Sequence, residues 1–251
     1  MAAKAHRLPS LAPGLAARAS ELRVYHCLTN IGLDDEGARA ARQLLASGAF
    51  LRPAGRRSES WPTISGGSLL PIDRLAGDDR LLFFTPNETL YGSWPETDGT
   101  VPTLEFSLAT LFEHGAVGWR PHDLMGNYDG LVRTVGDRPS LILRQFADLH
   151  TTWDPETVVR LVEIDLEVSE SLGRDGWEGS LAEKEVPEEV RQLVREIRLL
   201  VSRMQGAVDS FDCDVNKEHA EIVLEGEIPM REAVRYLDAE RSAWLPVEAR
   251  T

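Results

Sequence analysis

Short β-like runs lie near both ends of this chain, and the segments between them follow no fixed rhythm. LRVYHCL (22–28) reads as a strand close to the start, with Val24, His26 and Leu28 on one face. HAEIVLEG (219–226) reads as a strand close to the end, followed by a turn at Glu225-Gly226 and a helix beginning near Pro229. Strands this far apart share a sheet only through non-local pairing. After the first strand, Asp34-Asp35-Glu36 suit a helix N-terminus. Ala38, Ala41, Leu44 and Leu45 then form one helical stripe, and Gly48 is its stop. RLLFFTP (80–86) is a second strand, ended by Pro86. LEFSLATLFEHGAVGW (104–119) fits a strand that continues as a helix. LVRTVG (131–136) and SLILRQF (140–146) are expected as strands around a Gly136-Asp137-Arg138-Pro139 turn.

Asp154-Pro155-Glu156 is a helix-start signature, but VRLVEIDLEV (159–168) alternates acid and apolar residues and is expected as a strand with a solvated acidic face. Residues 186–208 carry Val190, Leu193, Val194, Ile197, Leu200 and Val201 at helical spacing. Strands and helices mixed without a βαβ repeat favour an α+β fold over a doubly wound sheet. The expected organisation is a flexible N-terminal tail (1–20), one domain (21–245) and a short C-terminal tail (246–251).

The 251 residues are enough to bury a core without staples, and 42% hydrophobic with 27% charged residues is ordinary for a globular chain. Net charge is −14, unevenly spread. Residues 1–60 hold nine Lys and Arg against five acids, so the first quarter is +4 and the remainder −18. That balance argues against a general nucleic-acid binder, while leaving room for a local phosphate site near Arg52, Arg56 and Arg57. Cys27 and Cys213 form no CxxC pair and are read as free thiols of a reducing, cytoplasmic compartment. No apolar run is long enough to span a membrane, so no membrane partner is expected.

There is no GxGxxG after a strand, no GxxxxGK[ST], no HExxH and no GxSxG, which removes the anchors for Rossmann, P-loop, zincin and α/β-hydrolase readings. His114, His122 and His150 match no metal-ligand spacing, and no metal is expected.

Three pieces stand out together. Tyr25-His26 lies in the opening strand, with Thr29-Asn30 just beyond it. LLFFTPNETLY carries a strand into a turn that ends at Tyr91. Ala220-Glu221-Ile222-Val223-Leu224 forms a late strand ahead of Pro229. This order of strand histidine, mid-chain aromatic strand and late strand glutamate resembles the ADP-ribosyltransferase superfamily. Within it the chain is most similar to the toxin-like DarT group. The resemblance implies two packed, mainly antiparallel β-sheets with surrounding helices. It also implies NAD as the substrate, a glycosyltransferase activity toward a macromolecular acceptor, protein or nucleic acid, and a site built from His26, Thr29, Phe84, Tyr91 and Glu221. Asn87 and Glu88 stand where a DarT-like enzyme offers an arginine, so DNA is not carried over as the acceptor.

The chemistry can be stated from the residues themselves. Breaking the nicotinamide–ribose bond leaves positive charge on the ribose, and a rigidly held strand carboxylate, Glu221, stabilises that charge as it develops. His26 can bond a ribose hydroxyl, and Tyr91, backed by Phe84, can stack on nicotinamide. Ordinary roles compete for each: Glu221 as an exposed strand acid beside Glu225 and Glu227, His26 as a satisfied sheet histidine, Tyr91 as packing. Placement at the two ends of the domain predicts that His26 and Glu221 occupy neighbouring central strands and face one pocket. Two other readings stand beside transfer. One is an NAD-binding or NAD-hydrolysing relative; the other is a non-catalytic interaction protein that binds a basic partner through its acidic C-terminal half.

Overall fold

A computed structural model of the chain describes residues 11–28, 35–53, 77–86, 102–120, 151–172, 221–238 and 243–247. The expected strands at 131–136 and 140–146 and the helix at 186–208 lie outside the described residues.

The described part is α+β. Helix α1 (Pro13–Glu21) leads into strand β1 (Arg23–Cys27); then come α2 (Asp35–Ser47), β2 (Phe50–Leu51), β3 (Leu82–Phe84), β4 (Thr103–Ser107), α3 (Leu108–His114) and β5 (Gly115–Arg120). Helix α4 (Pro155–Leu172) precedes β6 (Glu221–Gly226), β7 (Ile228–Pro229), β8 (Arg235–Asp238) and β9 (Ala243–Pro246). Single 3-10 turns sit at Asp78–Arg80 and Met230–Glu232.

The strands form a four-stranded sheet in the order β1-β4-β8-β9, a three-stranded sheet in the order β3-β6-β5, and a small β2-β7 pair. Every pairing is antiparallel. The two larger sheets meet edge to edge through one bridge, Tyr25 to Thr85. Across that join the strand order runs β9-β8-β4-β1, then β3-β6-β5. The first strand of the chain and one of its last strands therefore flank the middle of the assembly, with β3 between them.

The core lies on the sheet face that carries Val24, Leu82, Phe84, Leu104, Phe106, Val117, Ile222 and Leu224. Leu108 and Leu111 of α3, Val158, Val159 and Val162 of α4, and Ala19 of α1 belong to the same cluster. The valine, leucine, isoleucine and phenylalanine side chains among them stabilise by about 1.5–3 kcal/mol each when fully buried. The helices start where the local chemistry says they should. The Ser107 hydroxyl accepts from the Thr110 amide at 3.1 Å and caps α3. A carboxylate oxygen of Asp154 accepts from the Thr157 amide at 2.9 Å and hydroxyl at 2.6 Å at the start of α4. Gly48 ends α2 with φ of 70°, the left-handed conformation that glycine adopts without strain.

Four expectations are corrected. Residues 159–168 are helical, not a strand. Their alternation fits a period of two, yet Val158, Val159, Val162 and Leu166 also form a helical stripe against the core, and the Asp154-Pro155 start commits the segment. Residues 1–20 are not all tail. Helix α1 begins at Pro13 with Ala19 at 0% exposure, and Arg18 forms a two-pronged ion pair with Glu163 of α4. At the other end β9 runs to Pro246 and Val247 packs against the core, so ordered chain passes the expected boundary.

No helix begins at Pro229. One 3-10 turn is held by the Met230 amide donating to the Ala49 carbonyl (2.8 Å), after which β8 pairs onto β4. Satisfying the open edge of β4 outweighs local helix preference. Among the described residues, no helix is long and apolar enough to cross a membrane.

Candidate active site

Two of the sequence-derived candidates, His26 and Phe84, meet at the join between the two sheets. Tyr25 and Thr85 exchange both backbone hydrogen bonds, at 2.8 and 2.9 Å. In an unbroken antiparallel ladder, the next such pair would be Cys27 and Phe83. It does not form. The His26 ring takes the Phe83 carbonyl instead, with Nδ1 at 2.7 Å. β1 and β3 therefore part after one bridge, and an imidazole lies at the parting. A carbonyl only accepts, so Nδ1 carries the proton, and in the neutral ring Nε2 is the acceptor nitrogen.

His26 is buried to 8% exposure. Its ring centroid lies 5.3 Å from that of Phe84, which meets Phe106 edge-on at 5.9 Å. Phe84 is at 1% exposure, so it backs the histidine from the core.

Glu221 opens β6 and is half-buried. Its partner on β5 is Arg120. Since Phe84 pairs with Ile222, Thr85, just past the end of β3, falls in register beside Glu221. His26 and Glu221 are thus two strands apart, not on neighbouring strands: the LLFF run pairs with Ile222-Val223-Leu224 and occupies the place between them. Strict alternation puts His26 with Phe84 and Ile222, and Glu221 with Thr85 and Arg120 on the other face. The expectation that the two side chains face one pocket is therefore not met: His26 lies on the core face with Val24, Leu104 and Phe84, and Glu221 on the opposite face. Thr29 and Tyr91 lie outside the described residues.

The sequence reading missed a charged cluster beside Glu221. Arg120 and Asp78 are buried to 2% and 5% exposure and form a bidentate pair at 2.8 and 3.2 Å. Arg120 Nε also donates to the Thr151 hydroxyl at 2.9 Å. The only trace in sequence is an arginine that closes the otherwise uncharged run GAVGWR. A second buried acid, Glu105 in the apolar run of β4, bonds Arg235 and lies 3.4 Å from Arg23, and Arg235 stacks over Trp244 at 4.9 Å. This group ties β1, β4, β8 and β9 together.

Of the histidines considered for metal binding, His114 contacts Glu232 at 2.5 Å, and His122 and His150 lie outside the described residues. Next to His26, burial pushes the Cys27 thiol up to about 12, opposed by its hydrogen bond with Thr103. A thiol held protonated at neutral pH is a poor nucleophile.

Comparison with known proteins finds no matching family model, curated protein or solved structure.

Proposed function

We propose that this chain transfers ADP-ribose from NAD to a macromolecular acceptor, on an ADP-ribosyltransferase-like fold and in the cytoplasm. The observation that carries the reading is Glu221, a half-buried carboxylate at the start of β6 whose partner across the ladder is the buried Arg120. In this reading the nicotinamide ribose lies against the sheet face that carries Glu221. Glu221 bonds a ribose hydroxyl and offsets the charge that grows on the ribose as its bond to the nicotinamide nitrogen lengthens. His26, on the opposite face, is held by the Phe83 carbonyl and takes no part in the step. Nicotinamide leaves with the bonding electron pair. A nucleophile of the acceptor then forms the new bond to the anomeric carbon and gives up its proton. The carboxylate acts where charge develops, so its contribution falls on the transition state. Thr29 and Tyr91 are the further binding candidates, Tyr91 for stacking on nicotinamide.

The test uses NAD labelled in its adenylate half, with the purified chain and an extract of macromolecules. The reading predicts free nicotinamide and label fixed to protein or nucleic acid in matching amounts. Nicotinamide with no fixed label would make the chain an NAD hydrolase. Neither product, with no NAD binding, would leave the interaction-protein reading.

A further inference from the structure

Arg120 is among the largest fully buried side chains described, and it lies beside the proposed catalytic carboxylate. We propose that Arg120 is a positioning residue for Glu221, itself locked by Asp78 and Thr151. The proposal rests on the ADP-ribosyl-transfer reading. Arg120 and Glu221 are direct partners in the β5–β6 ladder, so their side chains leave the same face with Cβ atoms about 4.5–5.5 Å apart. The Arg120 Nε is held by Thr151, beside β5 on the side away from β6, while the far end of the side chain points the other way. Its guanidinium carbon lies 5.8 Å from the centre of the Phe83 ring, and Phe83 belongs to β3, on the far side of β6. The guanidinium therefore leans toward β6 on the face that Glu221 shares.

What holds the guanidinium there is also built. Asp78 grips it with both carboxylate oxygens from the 3-10 turn before β3, and Thr151 accepts from Nε. Thr151 comes close because residue 118 is glycine: a Cβ there would stand 2.7 Å from Thr151 Cγ2. Stability alone is a weak reason for such a group, because a buried ion pair is often no better than apolar residues of similar volume. A fixed cation beside a carboxylate does two useful things. It favours the charged form that the transition state needs, and it removes rotational freedom from the acid.

The test is a double-mutant cycle on nicotinamide release from NAD, with Thr151→Val and Arg120→Met each placed in the wild-type and the Glu221→Gln backgrounds. If Arg120 acts through Glu221, each substitution lowers kcat by about tenfold or more in the wild-type background and leaves KM for NAD within about threefold. In the Glu221→Gln background the same substitutions change the residual rate by less than about twofold. Equal losses in both backgrounds would overturn the proposal and make the cluster purely structural. Arg120→Met strands a buried aspartate, so folding is followed by thermal melting. Thr151→Val removes one acceptor and keeps the cycle readable if the arginine variant does not fold. An active wild type with an additive cycle sinks only this proposal. A wild type that releases no nicotinamide sinks the transfer reading and this proposal together.

Discussion

Cys27 and His26 are adjacent in β1 and have been given opposite chemistry by where the backbone breaks. The histidine ring fills the gap left by the missing Cys27–Phe83 pair and gains a fixed tautomer. The thiol is held at the Thr103 side with its pKa pushed up to about 12 by burial. In the folded chain, iodoacetamide at about pH 8 should leave the Cys27 peptide unmodified over a time that fully labels a denatured control. Rapid labelling in the folded state would show that the thiolate is accessible. His26 and Glu221 were legible as strand residues because alternation marks them. Arg120, Asp78 and Thr151 were not, since a buried polar cluster is assembled from three separate segments and leaves no periodicity in any of them.

The elements with clear local signals formed as the sequence implied: β1, α2 with its Gly48 stop, β3 and β6. α4 was misread because its residues satisfy two periods at once, and the cap decides between them. That cap has a testable pH signature. Hydrogen bonds from the Thr157 hydroxyl and amide hold the Asp154 carboxyl below its ordinary range. A carboxylate depressed on folding contributes stability above its unfolded pKa and loses it as pH falls through the folded value. Asp154→Ala should therefore melt below wild type at neutral pH, with the gap closing as the medium becomes acidic. A gap that stays constant down to about pH 2 would contradict a role for the charged cap. β8 was illegible for a different reason. Its pairing partner β4 lies more than a hundred residues earlier, the Glu105–Arg235 contact spans 130 positions, and β9 pairs onto β8 in turn. Local propensity carries no record of such a partner.

For the whole molecule, the architecture has its consequence at one place. Among the described residues two antiparallel sheets share one bridge, and the first strand and the late strand β6 flank β3 there, with His26 and Glu221 on opposite faces. The chain as a whole carries −14, which opposes duplex DNA while allowing a small ligand at a local site. Calorimetry at physiological salt should find tighter binding of NAD than of duplex DNA; DNA binding with no NAD heat would reverse that order. The most direct measurement is the rate of nicotinamide release by wild type, Glu221→Gln and the control Glu225→Gln, whose side chain is exposed later on the same strand. The account predicts a loss of roughly a hundredfold or more for Glu221→Gln, with NAD affinity and Tm nearly unchanged, and little loss for the control. Equal rates in all three proteins would contradict it and leave Glu221 an ordinary strand residue.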